Sequence, residues 1–340
     1  MVNKNAHLNP KIFDQDIEQI PTREGYGEGL VLAGERDERV VVLCADLTES
    51  TRSILFKEKF PDRFIEVGVA EQMMATVAAG MANYGKIPFI SSYAAFSPGR
   101  NWEQIRTTIA INDVPVKIAG AHAGISVGPD GATHQQLEDM AIMRAVPNIM
   151  VIAPCDSIEA KKATLAAAFN GKPTYLRFTR EKTPVFTTED SPFEIGRAEV
   201  LWDGGPSTHD VRSGRLDVCL IACGPLVYQA LLAAKELESH KISVRVINSH
   251  TLKPLDKKTI LQAAKDCGAI VTVEEHQIIG GLGGAVAEVL SENYPVPIKR
   301  VGVEDRFGES GEPSELMEKF GLGKEAIIKA VTAVLRMKDK

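Results

Sequence analysis

Residues 64–92 read FIEVGVAEQMMATVAAGMANYGKIPFISS, and this stretch decides the fold class. It begins with a strand-length apolar run, continues through 71–83 with the period of a helix, and ends in a second strand-like run at 87–92. Two strands joined by a helix are typical of a parallel βαβ unit. The stretch therefore predicts a parallel sheet that is covered by helices on both faces.

The same alternation extends to both sides of this stretch. A first series of strands is predicted at 39–45, 64–69, 87–92, 114–120, 149–154 and 174–178, and a second series at 217–223, 242–247, 269–275 and 297–303. A polar segment rich in Gly, Ser and Pro separates the two series and is typical of a linker. The expected fold class is α/β, with two doubly wound domains at 1–190 and 213–340 joined by a linker at 191–212.

The bulk composition limits the possible functions. The 340 residues are 44% hydrophobic and carry a net charge of −6, with no dense block of Lys and Arg, so we expect no nucleic-acid partner. The apolar runs have strand length and the N-terminus has no apolar signal segment, which argues against a membrane span or a secretory signal. Five scattered cysteines without a CxxC pair indicate reduced thiols in a cytoplasmic protein.

Polar and aromatic residues follow several of the predicted strands. Ligands of α/β sheets bind at the carboxyl ends of the strands, so the site is expected in these loops. Glu71 starts the helix after 64–69 among small and apolar neighbours. A carboxylate there complements the helix dipole, but burial would also let it exchange a proton near neutral pH. Tyr93 and Phe96 form either a small hydrophobic cluster or a platform for a planar heterocycle.

The loop after 114–120 is long and rich in glycine, as functional loops often are. It contains His122, Asp130 and His134, which could bind hydroxyl groups or transfer protons. Alternatively, Thr133 caps the following helix, which is predicted at 135–145, and His134 only fills its first turn. Neither histidine has metal-type partners nearby in the sequence, so no metal ligands are assigned.

Arg23, Ser50 and Arg180 lie at a helix start and in two loops that follow strands. The planar guanidinium group of arginine and the hydroxyl group of serine are suited to bind phosphate, although each residue alone could equally be a surface residue. The glycine-rich stretch GGLGGAVAE at 280–288 does not match GxGxxG, because Val286 occupies the sixth position. It indicates tight packing of a strand against a helix rather than an anion site.

Together these motifs carry a resemblance to a known family. VGVAEQ, YAAF, GISVGPDGATHQ and TYLRFTRE resemble the pyrimidine-binding domain of transketolases, and IACGPLVYQALLAAKEL and VTVEEHQIIGGLGGAVAEVL are similar to the transketolase C-terminal domain. The resemblance covers nearly the whole chain. It implies a thiamine diphosphate-dependent enzyme that transfers a two-carbon ketol unit from a ketose phosphate to an aldose phosphate, as in the pentose phosphate pathway.

The resemblance also implies roles for individual residues. Glu71 matches the glutamate that hydrogen-bonds the aminopyrimidine of the cofactor and promotes deprotonation of its thiazolium carbon. The other positions that match cofactor-binding residues are Phe96, Tyr93 and Asp46. The positions that match residues holding sugar hydroxyls or the sugar phosphate are Asp130, His134, Arg23, Ser50, His122 and Arg180. One family position that is aromatic in some members falls near Gly99 here.

The chain departs from single-chain transketolases in one respect. These enzymes carry a further N-terminal domain with a GDG motif that binds Mg²⁺ and diphosphate, and no GDG occurs in this sequence. The resemblance therefore implies the C-terminal half of a split transketolase. It would act only with a separate diphosphate-binding subunit that holds most of the Mg²⁺ site, as a heterotetramer with two copies of each subunit. The helix after Glu71 would lie at an interface.

Three alternatives stay open from the sequence. The first is the β subunit of a 2-oxo acid dehydrogenase E1, which would not be expected to carry DGATHQ or the Arg and Ser set. The second is a 1-deoxyxylulose-5-phosphate synthase, which has a similar loop but is normally one chain. The third is a non-catalytic structural or regulatory relative, against which the joint presence of Glu71, Phe96 and His134 argues.

Overall fold

The structure, a computed structural model, describes residues 1–205 and 216–338. Part of the predicted linker, 206–212, therefore lies outside the described residues. The strands of the described residues are β1 (Gln19–Pro21), β2 (Val40–Cys44), β3 (Phe64–Glu66), β4 (Ile87–Tyr93), β5 (Lys117–Ala121), β6 (Met150–Ile152), β7 (Thr174–Arg177), β8 (Lys182–Pro184), β9 (Glu199–Asp203), β10 (Val218–Ala222), β11 (Val244–Asn248), β12 (Thr251–Lys253), β13 (Ile270–Gln277) and β14 (Ile298–Val303).

Helices connect most of these strands. They are α1 (Thr22–Arg36), α2 (Ile54–Lys59), α3 (Glu71–Asn83), α4 (Trp102–Gln104), α5 (Asp139–Ala145), α6 (Ser157–Ala168), α7 (Leu226–Ser239), α8 (Lys257–Cys267), α9 (Leu282–Asn293), α10 (Pro313–Lys319) and α11 (Lys324–Lys338). No helix of the described residues is long and apolar enough to cross a membrane.

Two mostly parallel sheets form the framework of the described residues. The first has the order β12-β6-β7-β5-β4-β2-β3 and the second has the order β14-β13-β10-β11-β9. Strands such as β2, with five consecutive buried residues, are apolar on both faces because helices cover both sides of the sheet. The predicted α/β class is confirmed.

Two short strands depart from the predicted division of the chain into two domains. β9 lies within the predicted linker and pairs antiparallel with β11 at the edge of the second sheet. β12 follows the second-sheet strand β11 in sequence, yet it pairs antiparallel with β6 of the first sheet. The chain therefore crosses between the two sheets three times, after β7, β11 and β12, which ties the sheets together. The exact domain limits stay a prediction.

Close packing of α1 against α6 fixes the start of α1. A Cβ atom on Gly25 would lie 1.8 Å from the Ser157 carbonyl oxygen, and one on Gly29 would lie 2.6 Å from Thr164 Cβ. Only glycine allows the two backbones to approach this closely. Because α6 is itself capped by Asp156, whose side chain accepts the Glu159 N–H, the first turn of α1 is held rigidly at the sheet.

The stretch GGLGGAVAE packs tightly at the start of α9, as predicted. The Glu274 carboxylate accepts the Leu282 N–H at 2.7 Å and the Gly283 N–H at 2.8 Å. A Cβ atom on Gly283 would lie 2.8 Å from Thr272 Oγ1, so this position requires glycine. The donors at the helix start are thus already satisfied by a carboxylate of the same domain.

Candidate active site

The order of strands in the first sheet brings the predicted site loops together. β7, β5, β4, β2 and β3 are consecutive neighbours, so their carboxyl ends form one continuous edge. The candidate residues at or after these ends are, in the same spatial order, Arg180, His122, Tyr93, Asp46 and Glu71. Residues that are far apart in the sequence therefore converge because of the sheet topology.

Glu71 is buried in the first turn of α3, with only 2% of its surface exposed. Its Oε2 accepts a hydrogen bond from Arg100 Nη1 at 2.7 Å, and its backbone carbonyl accepts one from Asn101 Nδ2 at 3.0 Å. The guanidinium carbon of Arg100 also lies 4.6 Å from the centroid of the Phe96 ring. One cation thus joins the buried carboxylate to the aromatic residues of the site.

Four rings form a continuous aromatic surface beside this carboxylate. Tyr93 and Phe96 are stacked with centroids 5.9 Å apart, and Tyr93 stacks on His122 at 3.8 Å. His134 meets Tyr93 and Phe96 edge-on, at 6.2 and 5.4 Å. The rings of Tyr93 and Phe96 are half-buried rather than enclosed in the core. This surface is suited to pack against a planar heterocycle.

Gly99 cannot be replaced by an aromatic residue in this backbone. A Cβ atom there would lie 2.1 Å from the Ala95 carbonyl oxygen. The turn between Phe96 and Arg100 is therefore too tight for any side chain at this position. The aromatic surface of this chain therefore lacks the additional aromatic residue that some relatives are expected to carry at this position.

Arg23 and His122 form a polar pair at the other side of the rings. Arg23 Nη1 donates a hydrogen bond to the Ser50 backbone carbonyl at 2.9 Å and lies 3.4 Å from His122 Nε2. This contact of Ser50 uses its backbone, and not the hydroxyl for which a role was predicted. Arg23 Nε and His122 Nδ1 are buried and have no hydrogen-bond partner among the described residues. Buried polar atoms are usually hydrogen-bonded, so a bound ligand or water molecule would satisfy these two.

His122 is a neutral imidazole at physiological pH. Burial lowers the pKa of His122 to about 3, and the positive charges of Arg23 and Arg180 act in the same direction. Burial likewise lowers the pKa of Arg23. His122 also has a left-handed backbone, with φ of 53°, a conformation that costs free energy in a residue other than glycine. The structure therefore holds a neutral donor or acceptor beside two cations.

The long glycine-rich loop, 122–136, brings Asp130 to Arg180. Arg180 Nη1 donates to the Val127 carbonyl at 2.9 Å and lies 3.7 Å from Asp130 Oδ1. Both side chains remain about one third exposed. They therefore border the polar side of the site without closing it.

Thr133 does not cap a helix, and the expected helix at 135–145 begins later. α5 starts at Asp139, with Glu138 as its N-terminal flanking residue. Residues 135 and 136 are instead held by the loop, because Gln135 Nε2 donates to the Ile125 carbonyl at 3.1 Å and Gln136 pairs with Ala123. Thr133 Oγ1 lies 2.8 Å from His134 Nδ1, so it orients the imidazole. The capping alternative is wrong.

Asp46 lies at the same sheet edge, after β2, and its backbone contacts the end of β3. Its backbone N–H donates to Glu66 Oε1 at 2.8 Å, and its side chain is exposed. Its φ of 59° places it in the left-handed region, as for His122. Its role as a cofactor-binding residue stays a prediction.

Sequence reasoning missed Arg100 and the buried polar contacts between the two sheets. Arg100 lies in SPGRNW, directly after the aromatic pair, and this position was the available signal. The interdomain contacts, centred on Asp139, Arg177 and Glu275, gave no local signal because each residue reads as part of an ordinary helix or strand. Among the described residues, no group of three or more His, Cys, Asp or Glu side chains is placed to hold a metal ion.

Comparison with known proteins assigns both halves of the chain. Residues 18–185 match the family described as transketolase, pyrimidine binding domain, and residues 208–327 match the family described as transketolase, C-terminal domain. A provisionally named transketolase C-terminal section from Methanocaldococcus jannaschii is 44% identical over 312 residues, which cover 91% of this chain and 94% of the relative. The 6-deoxy-6-sulfo-D-fructose transketolase subunit SqwH from Clostridium sp. (strain MSTE9) is 39% identical, covering 96% and 98%.

Full-length relatives and solved structures give the same assignment. The transketolase of Rattus norvegicus is 37% identical over 94% of this chain but only 49% of its own length. A solved structure described as a split gene transketolase, inactive β4 tetramer, superposes with a TM-score of 0.85 at 44% identity and covers 94% of this chain and 99% of that chain. These matches do not favour the three alternatives. The chain belongs to the transketolase family and corresponds to the C-terminal section of a split transketolase.

Proposed function

We propose that this chain is the half of a thiamine diphosphate-dependent transketolase that holds the aminopyrimidine and the sugar substrates. It transfers a two-carbon ketol unit from a ketose phosphate to an aldose phosphate. One observation carries this proposal: a buried carboxylate, an aromatic surface and an arginine–histidine pair with unpaired polar atoms lie side by side at one sheet edge. The carboxylate and the aromatic surface suit the aminopyrimidine of the cofactor, and the cationic side suits the sugar phosphate.

The residues present fit the cofactor. Glu71 is buried beside the rings of Tyr93 and Phe96, which suit the ring nitrogen and the face of an aminopyrimidine. When bound, thiamine diphosphate supplies a nucleophilic carbon that attacks the ketose carbonyl. Glu71 would hold a proton at its carboxyl oxygen toward the pyrimidine ring nitrogen. Arg100 keeps this carboxyl group in place, because it is the hydrogen-bond partner of Oε2.

The cationic side of the site fits the phosphate group of a sugar. Arg23 and Arg180 bring two positive charges toward the same space, and each presents a planar fork suited to phosphate oxygens. Neutral His122 adds a buried ring nitrogen, Nδ1, that has no hydrogen-bond partner among the described residues. Ser50 contributes through the backbone position that it gives to Arg23.

Asp130 and His134 would hold the hydroxyl groups of the sugar chain. They border the opening between the aromatic surface and Arg180. His134 is oriented by Thr133, and its second ring nitrogen can hydrogen-bond a hydroxyl group of the sugar. Asp46 would approach the cofactor from the neighbouring loop.

A separate subunit would complete the site by binding Mg²⁺ and the diphosphate. Single-chain relatives are about twice as long as the segment that this chain matches, which leaves room for such a domain. The split-gene relative is described as an inactive β4 tetramer, which supports inactivity of this half alone. A complex with two copies of each subunit is the expected active form. All five cysteines are unpaired and buried, which supports a cytoplasmic location.

The face of α3 that would meet a neighbour differs from the one expected from its small residues. Ala75, Ala78 and Ala79 are buried inside this chain, so they cannot contact a partner. The opposite side exposes apolar side chains, with Met73 50% and Val77 39% exposed. Apolar surface on the helix that starts with Glu71 supports an interface close to the site.

The proposal is tested by mixing this chain with a diphosphate-binding transketolase subunit, thiamine diphosphate and Mg²⁺. Xylulose 5-phosphate and ribose 5-phosphate should then yield sedoheptulose 7-phosphate, whereas either subunit alone should be inactive. Turnover of pyruvate without turnover of sugar phosphates would refute the proposal. Including 6-deoxy-6-sulfo-D-fructose as a second donor shows whether the cationic side accepts a sulfonate, as the name of one relative suggests.

A further inference from the structure

The second domain reaches into the loop 122–136, which carries the predicted substrate residues. Gln135 Nε2 donates to the Glu309 backbone carbonyl at 2.9 Å. A Cβ atom on Gly128 would lie 2.9 Å from Pro313 Cγ, so the loop is in close contact with the start of α10. The conformation of this loop is therefore set in part by residues about 150 or more positions away in the sequence.

Glu275 makes the most specific of these contacts. It lies on β13, is only 2% exposed, and its Oε1 accepts the Ser126 N–H at 2.7 Å. A Cβ atom on Gly124 would lie 2.2 Å from the same oxygen, and Gly124 has φ of 95°. The carboxylate thus lies directly against the loop backbone, which only glycine permits at this position.

The contact between Glu275 and the loop is charge-assisted. Burial raises the pKa of Glu275, while Arg177 and the Ser126 N–H oppose that effect. Arg177 Nη2 also donates to the Glu275 backbone carbonyl at 2.8 Å, and Arg177 is the last residue of β7, three positions before Arg180. Glu275 therefore lies between the two segments that carry the polar side of the site.

A short path leads from Glu275 to the predicted phosphate site. Ser126 is followed by Val127, whose carbonyl accepts Arg180 Nη1 at 2.9 Å. The Ser126 N–H and the Val127 carbonyl belong to different peptide groups, but both lie in the short helical segment Ile125–Asp130, so a displacement of Ser126 is passed to this carbonyl along that segment. Loss of the bond would leave Arg180 with a displaced acceptor.

We infer that Glu275 is a positioning residue through which the C-terminal domain sets the orientation of Arg180 toward the phosphate of the sugar substrate. The inference rests on the proposed function for the identity of the substrate. It gives the C-terminal domain a part in substrate binding.

The neighbouring Glu274 provides a matched control. Glu274 and Glu275 are consecutive on one strand, so their side chains point to opposite faces of the sheet. Both are buried, at 0% and 2% exposure, and each accepts backbone N–H groups. The bonds of Glu274 stay within the second domain, at the start of α9, whereas the bond of Glu275 reaches the loop.

The test compares Glu275→Met, Glu275→Gln and Glu274→Met. Methionine keeps the approximate volume and removes both charge and acceptor, while glutamine keeps an acceptor without the charge. Hydrogen exchange of the peptide around Ser126 is measured in the isolated chain, which needs no turnover. In the reconstituted complex, KM and kcat are measured with a phosphorylated ketose donor and with an unphosphorylated one.

We expect Glu275→Met to speed exchange of the Ser126 amide about tenfold and to raise KM for the phosphorylated donor by about the same factor. KM for the unphosphorylated donor and kcat should change little. Glu275→Gln should fall between Glu275→Met and the native chain, because a neutral hydrogen bond is weaker than a charged one. Glu274→Met should lower thermal stability, but any change in KM should be the same for the phosphorylated and the unphosphorylated donor.

Equal changes with both donors, or the same pattern in Glu274→Met, would overturn the inference and indicate a purely structural role. If Glu275→Met does not fold, Glu275→Gln decides the question: a rise in KM confined to the phosphorylated donor supports the inference, and an unchanged KM contradicts it. A native complex that transfers no ketol unit at all would refute the proposed function instead. The exchange measurement would still report whether Glu275 holds the loop.

Discussion

Glu71→Gln is expected to lower ketol transfer by the reconstituted complex by roughly 10²–10⁴-fold, the range for loss of a positioned acid–base group. Glutamine has nearly the same shape but cannot carry the proton that the carboxyl group would exchange with the cofactor. Arg100 is 46% exposed, so it can turn toward water when its partner loses the charge. The variant should therefore fold normally, and kcat measured at saturating substrate and cofactor checks the prediction.

The matched control for Glu71→Gln is Glu103→Gln. Glu103 lies near the same surface, at the start of α4, but is exposed. The same chemical change there should leave kcat within about a factor of two, as is usual for an exposed position. Activity of Glu71→Gln within about threefold of the native complex would remove Glu71 from the mechanism.

Asp139→Asn should cost about 3–5 kcal/mol of unfolding free energy, because it leaves a buried arginine without its counterion. Asp139 Oδ2 accepts Arg177 Nε at 2.8 Å and the Tyr175 hydroxyl at 2.6 Å, and both charged side chains are 3% exposed or less. The cost is large because this pair lies where the two domains meet. Urea unfolding of the isolated chain, followed by circular dichroism, measures the change.

Two further variants separate the buried charge from other effects. Asp139→Asn combined with Arg177→Met removes both charges and should recover part of the lost stability. Glu194→Gln breaks the Glu194–Arg197 pair, whose side chains are 65% and 67% exposed, and should change stability by less than about 1 kcal/mol. A loss below about 1 kcal/mol in Asp139→Asn would contradict the importance of the buried pair.

Much of the first sheet could be predicted because its strands are buried on both faces and therefore continuously apolar. α3 was predicted with its observed limits, since the apolar period and the turn at Tyr84 and Gly85 mark its end. α5 was placed too early, because Gln135 is drawn into the loop by contacts that are distant in sequence. The pairing of β12 with β6 of the first sheet could not be predicted for the same reason, because it also depends on contacts between residues that are distant in sequence.

The residues of the candidate site were easier to predict than the residues that hold them in place. Its residues follow strand ends, where sheet topology concentrates polar groups, and several stand in short recognisable motifs. Arg100 was missed because an arginine in a turn has no distinguishing pattern until Glu71 is seen opposite it. Glu275 was missed because its partner is a backbone N–H, 149 positions away, that no side-chain pattern reveals.

Binding of thiamine diphosphate tests the composite site most directly. Calorimetric titration in the presence of Mg²⁺ compares this chain alone, the diphosphate-binding subunit alone and their mixture. The site at the edge of the first sheet is proposed to hold the aminopyrimidine and the sugar, whereas Mg²⁺ and the diphosphate are proposed to bind to the partner subunit. Saturable binding is therefore expected only in the mixture. Tight, Mg²⁺-dependent binding by the isolated chain would contradict a site divided between two subunits.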